Sequence, residues 1–271
     1  MLLLIALGIG SVLYANNELK LLTDSLRRVI DEKHVFVKEK EDRINRIKRM
    51  LRSPGLTLEG EYRINLRLYN EYKKFHIDSA IHYVDRNIEI SRQLNRPYFT
   101  NQSSLHLSLL YSMCGRFREA EIILKSIKTS ELPRDLLINY YQTYSSFWGH
   151  YSISVANNLY GKQQAAYQDS LFALIDHTSW DYRMSQASYY IWRDTLKSKE
   201  IYKELLEIEE VGTPNYAMIT HSYSRLCHHQ KKYDEEKKYL MLSAIADTRN
   251  ATRENASLQS LALIAYDEQN L

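Results

Sequence analysis

The stretch RLCHHQKK, residues 225–232, places a thiol at Cys227 beside imidazoles at His228 and His229, with His221 two helical turns earlier on the face of His228. Thiolate and imidazole are zinc ligands. Tetrahedral sites, however, draw three or four convergent ligands, usually at C-x-x-C or H-x-x-x-H spacing. Adjacent residues of a helix point about 100° apart, so Cys227, His228 and His229 diverge, and no metal site is expected. Glu207, Glu209 and Glu210 in ELLEIEEVG are candidate acid–base carboxylates, but they crowd a helix end in solvated company. Cys114 precedes the turn residue Gly115 and has no His or Asp placed by sequence to activate its thiol. The spacings G-x-x-x-x-G-K, G-x-G-x-x-G and G-x-S-x-G are all missing. The expectation is a protein that is not an enzyme and holds no cofactor.

What, then, positions these side chains? The 271 residues include only 8 Gly and 4 Pro, so few breakers interrupt the chain. Stretches such as GEYRINLRLYNEYKKFHIDSAIHYVDRNIEISRQL repeat apolar residues every three or four positions, the helical period. The 22 Tyr against 6 Phe suit shallow helix–helix seams, with the ring buried and the hydroxyl wet. The fold class is all-α. Cys114 and Cys227 give no disulfide framework and are expected free and mostly buried.

Residues 1–15, MLLLIALGIGSVLYA, are uncharged, short for a bilayer span and end in small residues before polar NNE. They are expected to be a secretory signal peptide, with mature protein starting near Asn16. An uncleaved anchor and a buried core helix are the alternatives, because no Lys or Arg precedes the run and Leu13 is bulky for its place. Residues 16–54 follow as a long charged region, read as one helix from about Leu19 to Leu51. Its ragged stripe is Leu22, Leu26, Val29, Phe36, Ile44, Ile47 and Leu51. From Arg27 to Arg52 ten Lys/Arg face five Asp/Glu. That excess invites a nucleic-acid reading, against which stands a solvated helix laced with opposite charges; no nucleic acid is expected here.

Around Ala120 the spacing Gly115, Phe117, Ala120, Leu124 is joined upstream by Leu107, Ser108 and Tyr111, and downstream by Pro133. This resembles a tetratricopeptide repeat, a helix–turn–helix unit of about 34 residues. In such a unit small residues let two helices nest, aromatics fill the gap between pairs, and Pro ends the second helix. The frame recurs with decay at Ala80, Leu171, Ser198 and Glu236. The intervals between 80, 120, 171, 198 and 236 are 40, 51, 27 and 38 residues. The longer unit takes in an extended SISVANNLYG turn. Residues 55–271 thus form a tetratricopeptide-like solenoid, preceded by the long N-terminal helix. Its last repeat is incomplete: SLQSLALIAYDEQNL carries the stripe Leu258, Leu261, Ile264 and Ala265 without a second helix to cover it.

Three elements together are similar to a known family: LTDSLRRVIDEK…KEKEDRINRIK, LYNEYKKFHIDSAIHYVDRNIEISRQL and LHLSLLYSMCGRFREAEIILKSI. They resemble the periplasmic sensor region of inner-membrane-anchored, tetratricopeptide-repeat transcriptional regulators of Gram-negative gut bacteria. The resemblance implies a non-catalytic, periplasmic domain that binds protein or peptide. In relatives a membrane helix, a coiled coil and a DNA-binding region follow. An envelope scaffold without signalling output, or the periplasmic sensor of a histidine kinase, would have the same repeats. A repeat array presents a concave groove lined by its first helices. The first-helix positions not needed for packing are Tyr62, Asn65, Tyr69, Gln102, Leu109, Arg183, Tyr190, His221 and Arg225. Arg forks onto carboxylates, and Asn or Gln bonds peptide amides. The occupant would be a protein or peptide partner, or the N-terminal helix folded back. Self-association is expected at the C-terminal edge, and membrane attachment only through an uncleaved N-terminus or an anchor further along.

Overall fold

The computed structural model describes residues 2–156, 160–253 and 255–269, with side chains described between residues 17 and 267. Among the described residues every regular element is a helix. The helices are α1 (Leu2–Asp31), α2 (Lys33–Met50), α3 (Leu58–Tyr72), α4 (Ile77–Gln93), α5 (Pro97–Met113), α6 (Phe117–Ser126) and α7 (Arg134–Ser154). They continue as α8 (Gly161–Phe172), α9 (Trp180–Tyr190), α10 (Thr195–Ile208), α11 (Pro214–His229), α12 (Tyr233–Arg249) and α13 (Ala256–Gln269). None is long and apolar enough to cross a membrane among the described residues. The expected leader, 1–15, falls where no side chain is described. The helix expected from Leu19 to Leu51 is interrupted at Glu32, whose carbonyl accepts from the Val35 amide at 2.8 Å. That three-residue bond tightens the backbone between α1 and α2 without Pro or Gly.

The chain divides into two compact units, residues 41–177 and residues 1–40 with 178–271. In the first, the end of α2 buries Ile44 and Ile47, and the hairpins α3–α4, α5–α6 and α7–α8 follow. Its core joins Leu105, Ala120, Leu124, Leu136, Tyr140, Tyr144 and Phe147. In the second, the hairpins α9–α10 and α11–α12 enclose Ala187, Ile191, Tyr202, Leu205, Ile219, Tyr223 and Leu226. Each buried Leu or Ile contributes about 1.5–3 kcal/mol relative to exposure. The tyrosines go deeper than shallow seams: Tyr62, Tyr202 and Tyr223 are at most 2% exposed. Their hydroxyls are satisfied inside the protein where bonds are made, as between Tyr202 and Ser188 Oγ at 3.0 Å.

The local sequence explains the hairpins. Side chains of Thr57, Ser179, Asp194 and Thr213 accept from amides in the first turns of α3, α9, α10 and α11. Between helices a single residue enters the left-handed region, Gly115 at φ 79° and Lys231 at φ 57°. There the chain closes with Arg116 N to Tyr111 O at 2.8 Å and Lys232 N to Cys227 O at 2.9 Å, the Schellman geometry.

Ala80, Ala120, Ser198 and Glu236 each occupy the fourth position of a second helix and are buried. In the α5–α6 seam Ser108 Oγ donates to the Ala120 carbonyl at 3.0 Å. Leu171 does not share that position. In α8 the fourth residue is Gln164, and its small opposite number is Gly149, where an added Cβ would meet Gln164 Nε2 at 3.1 Å. With Gln164 in the frame the intervals become 40, 44, 34 and 38 residues (from 80, 120, 164, 198 and 236). Pro133 does not end a second helix: α6 stops at Ser126, and Pro133 instead caps the start of α7. Of the SISVANNLYG stretch, residues 157–159 lie outside the described residues. Cys227 is buried as expected, but Cys114 is exposed because it is the C-cap of α5, beside the turn.

Helix α1 lies along α12, a second helix, with Glu18 bridged to Lys238 at 2.6 Å and the Thr23 hydroxyl 3.6 Å from Met241 Sδ. Glu18 and Leu19 also line a pocket with Tyr223 of α11 and with Tyr239 of α12. The last helix, α13, is capped by Asn255, whose Oδ1 accepts from the Leu258 amide at 3.0 Å. Its Leu258, Leu261 and Ile264 are half-buried, whereas Ala265 is exposed.

Candidate functional site

Within residues 41–177 the first helices α3, α5 and α7 enclose a pocket of about 280 Å³. Three residues expected in the groove meet there: Tyr69 from α3, with Gln102 and Leu109 from α5. The other lining groups are Leu105 and His106 from α5, and Asn139, Gln142, Thr143 and Ser146 from α7. The helical period explains the convergence. Gln102, His106 and Leu109 stand on one face of α5, and Asn139, Gln142 and Ser146 on one face of α7, at spacings of three or four.

No ionised group lines this pocket. His106 stacks on Tyr69 with ring centroids 4.3 Å apart. Burial, then the nearby Lys73 ammonium, push the His106 imidazole down to about 4, so it is neutral near pH 7. Burial likewise pushes the Tyr69 phenol well up, so it remains protonated. Among the described residues the side chains of Asn139, Gln142 and Ser146 make no hydrogen bond to the protein, nor do the ring nitrogens of His106. Thr143 is turned back to the Asn139 carbonyl at 2.7 Å. Gln102 Oε1 accepts from the Tyr62 hydroxyl at 2.9 Å, leaving the Gln102 amide N–H groups. One turn before Tyr69, Asn65 is 1% exposed and its Nδ2 is buried without a partner. A ligand here would meet several neutral donors and acceptors but no fixed charge.

The remaining expected residues fall elsewhere. Tyr62 is 1% exposed, stacked on Phe99 at 4.3 Å and bonded to α5, so it packs two helices rather than lining a groove. Asn65 is buried with it. Tyr62 is held by α5 through Phe99, Gln102 and Ser103. Arg183, Tyr190, His221 and Arg225 lie in the other unit. Arg183 is paired with Glu204 of α10. The Tyr190 hydroxyl accepts from Lys197 Nζ at 2.8 Å, and that ammonium also sits over the ring. His221 Nδ1 is 2.9 Å from Ser257 Oγ at the start of α13, and burial lowers the imidazole pKa. Only Arg225 of these four is exposed. His106, Asn139, Gln142 and Ser146 were missed as site residues. Their signal was present: polar residues at helical spacing on first helices whose other faces are apolar.

Of the residues considered for chemistry, Cys227 is buried and its thiol is pushed up to about 12, chiefly by burial and then by Glu235. His228 Nδ1 lies 3.0 Å from Glu236 Oε2, and His229 faces the Trp192 ring. These side chains diverge. Among the described residues no group of three or more His, Cys, Asp or Glu could hold a metal ion.

Comparison with known proteins supplies a family. Residues 30–271 match the family described as the SusR N-terminal TPR domain. No curated protein and no solved structure matches the chain. The match covers most of the chain, and the protein belongs to this family of tetratricopeptide-repeat domains.

Proposed function

We propose that this domain is the ligand-reading part of a SusR-like regulator, and that it takes a protein or peptide segment in the α3–α5–α7 pocket. One observation carries the reading: His106, Asn139, Gln142 and Ser146 present unpaired hydrogen-bonding groups to one cavity from two successive first helices. Amide side chains offer a donor and an acceptor each, which matches the backbone of an extended peptide. The neutral lining selects for an uncharged segment, because burying an unpaired charge there costs several kcal/mol. The domain acts by binding and has no catalytic role. In the full reading it is exported to the periplasm, starts near Asn16, and belongs to a membrane-anchored transcriptional regulator. A scaffold role in the envelope, or service as the sensor of a histidine kinase, would use the same pocket with a different output.

Isothermal titration of the purified chain against a panel of uncharged and charged peptides tests the pocket. Asn139→Ala with Gln142→Ala should weaken the best uncharged peptide about tenfold or more, the loss of two hydrogen bonds of about 1 kcal/mol each. Charge reversal of Arg183 and Arg225 should leave that affinity unchanged. Equal binding by the Asn139/Gln142 variant, or selective binding of charged peptides, would remove the assignment. Sequencing the N-terminus of protein from the native host tests export: an intact Met1 in the cytosol would reject it.

A further inference from the structure

Several arginines of this protein stand beside a carboxylate. Arg86 forks onto Glu61 at 2.7 and 3.2 Å, Arg63 meets Glu59 at 2.7 Å, and Arg116 meets Glu119 at 3.0 Å. Between the end of α2 and α3 that pattern breaks. A pocket of about 450 Å³ there is lined by Arg43, Arg46, Arg67, Met50, Asn70 and Glu71, with Ile47 at its floor. Three guanidiniums face one carboxylate, a surplus of two positive charges (3 − 1). Glu71 is bonded to Arg43 at 2.9 Å. Arg67 Nη1 points at Met50 Sδ at 3.4 Å, a thioether that accepts only weakly. Arg46 meets no side-chain acceptor among the described residues. Asn70 is occupied by Lys73 Nζ and the Leu66 carbonyl. On the opposite flank of α2 a second pocket, about 360 Å³, is lined by Lys48, Arg49 and Arg52 without a carboxylate.

The negative end of the α2 dipole accounts for basic residues in its last turn, such as Lys48 and Arg49. It does not account for Arg67, which stands in the interior of α3 and points into the same pocket as Arg46. Two guanidiniums without a carboxylate partner that share a concave site, backed by further positive charge, form a fork for a planar or tetrahedral oxyanion. We propose that the α2–α3 pocket binds a phosphate oxyanion, with Arg46 and Arg67 as its two forks and Arg43 as a supporting charge. Free phosphate and the headgroup of an anionic phospholipid present the same chemistry to such a fork.

The full chain is titrated with inorganic phosphate by calorimetry. It is also sedimented with vesicles of phosphatidylcholine, alone or mixed equally with phosphatidylglycerol. The double variant Arg46→Gln/Arg67→Gln is compared with Arg63→Gln, whose guanidinium is held by Glu59 outside the pocket, and circular dichroism checks that each is folded. The double variant should bind about tenfold more weakly, the equivalent of about 1.4 kcal/mol, while Arg63→Gln binds like the unaltered chain. Loss seen with inorganic phosphate identifies the free ion as the source. Loss seen only with phosphatidylglycerol vesicles identifies the headgroup. The proposal is overturned if the unaltered chain binds neither, if the double variant binds as well as the unaltered chain, or if Arg63→Gln falls by the same factor.

Discussion

The hairpins α5–α6 and α11–α12 share one backbone and differ in chemistry at the positions that count most. Every equivalent pair is 116 residues apart: Leu110 with Leu226, Gly115 with Lys231, Ala120 with Glu236, and Leu124 with Leu240. The four leucines are all at most 2% exposed. The turns close with the same pair of atoms in both. Yet where one hairpin has the small Ala120, fully buried, the other has Glu236, still only 9% exposed. Its carboxylate is met by His228 at 3.0 and 3.1 Å. At the position of His228 the first hairpin has Ser112, already engaged by His150 at 2.7 Å. The apolar pairs and the turn geometry fix the register, then. The small position can be relinquished where a neighbour supplies a polar partner.

Exchanging the two solutions breaks the comparison most severely. Ala120→Glu would bury a carboxylate where Ser112, already bonded to His150, stands in place of His228, which should cost about 3–5 kcal/mol. Urea denaturation should show it, or the variant should fail to fold. Adding Ser112→His should recover part of the loss. The reciprocal Glu236→Ala removes a charge together with its need for a partner and should stay within about 1 kcal/mol of the parent, because pairs of this kind barely exceed their desolvation penalty. If both single variants lose equally, the His228 contact is not what permits Glu236.

Ala120→Trp tests the same seam by volume. Overpacking a close helix–helix contact should cost about 1–3 kcal/mol, and an unchanged melting temperature would show that Ser108 and Ala120 are not at a tight approach.

Histidines set a third contrast, between a neutral pocket and the solvated hairpin ends. In the folded protein His106 titrates near 4, against 6.5 when exposed. The unfolded chain therefore binds the extra proton first as pH falls. The contribution is fully present above about pH 6.5 and is lost as pH drops through about 4. Burial lowers His150 and His221 too, adding in the same direction. For His106 the loss is on the order of 3 kcal/mol. Stability measured from pH 7.5 to pH 4 should fall less steeply in His106→Gln; an identical slope would show that His106 is not buried neutral.

How much of this was legible in the amino-acid sequence differs by position. Ala80, Ala120, Ser198 and Glu236 were readable, because each follows its turn by a fixed count and the turn fixes the register. Gln164 was not. In α7–α8 the small residue moved to the opposite helix, at Gly149, and a frame that expects it on the second helix slides on to Leu171. The pocket was half legible. Tyr69, Gln102 and Leu109 sit on the face that the period assigns to the groove. Tyr62 and Asn65 share that period on α3 but are buried, Tyr62 against α5, and periodicity cannot separate a face open to a ligand from one covered by a neighbouring helix. The break at Glu32 has no Pro or Gly to announce it.

The smallest effect separates the turns themselves. Gly115 holds φ 79° with nothing within 4 Å of where a Cβ would stand, so Gly115→Ala is opposed by backbone conformation alone. The left-handed region costs an L residue roughly 1–2 kcal/mol, partly offset because Ala has less freedom than Gly to lose on folding. A net loss of about 1 kcal/mol is expected. Lys231 already bears that strain at φ 57° in the equivalent turn. Lys231→Gly releases it while restoring unfolded-state freedom, about 0.5–1 kcal/mol in the other direction, so a gain below about 1 kcal/mol is expected. Paired urea titrations on the two variants read the difference of signs directly. Were Lys231→Gly to destabilise the chain while Gly115→Ala did nothing, the turns would not be equivalent. The shared register of the two hairpins would then have to come from the buried leucines alone.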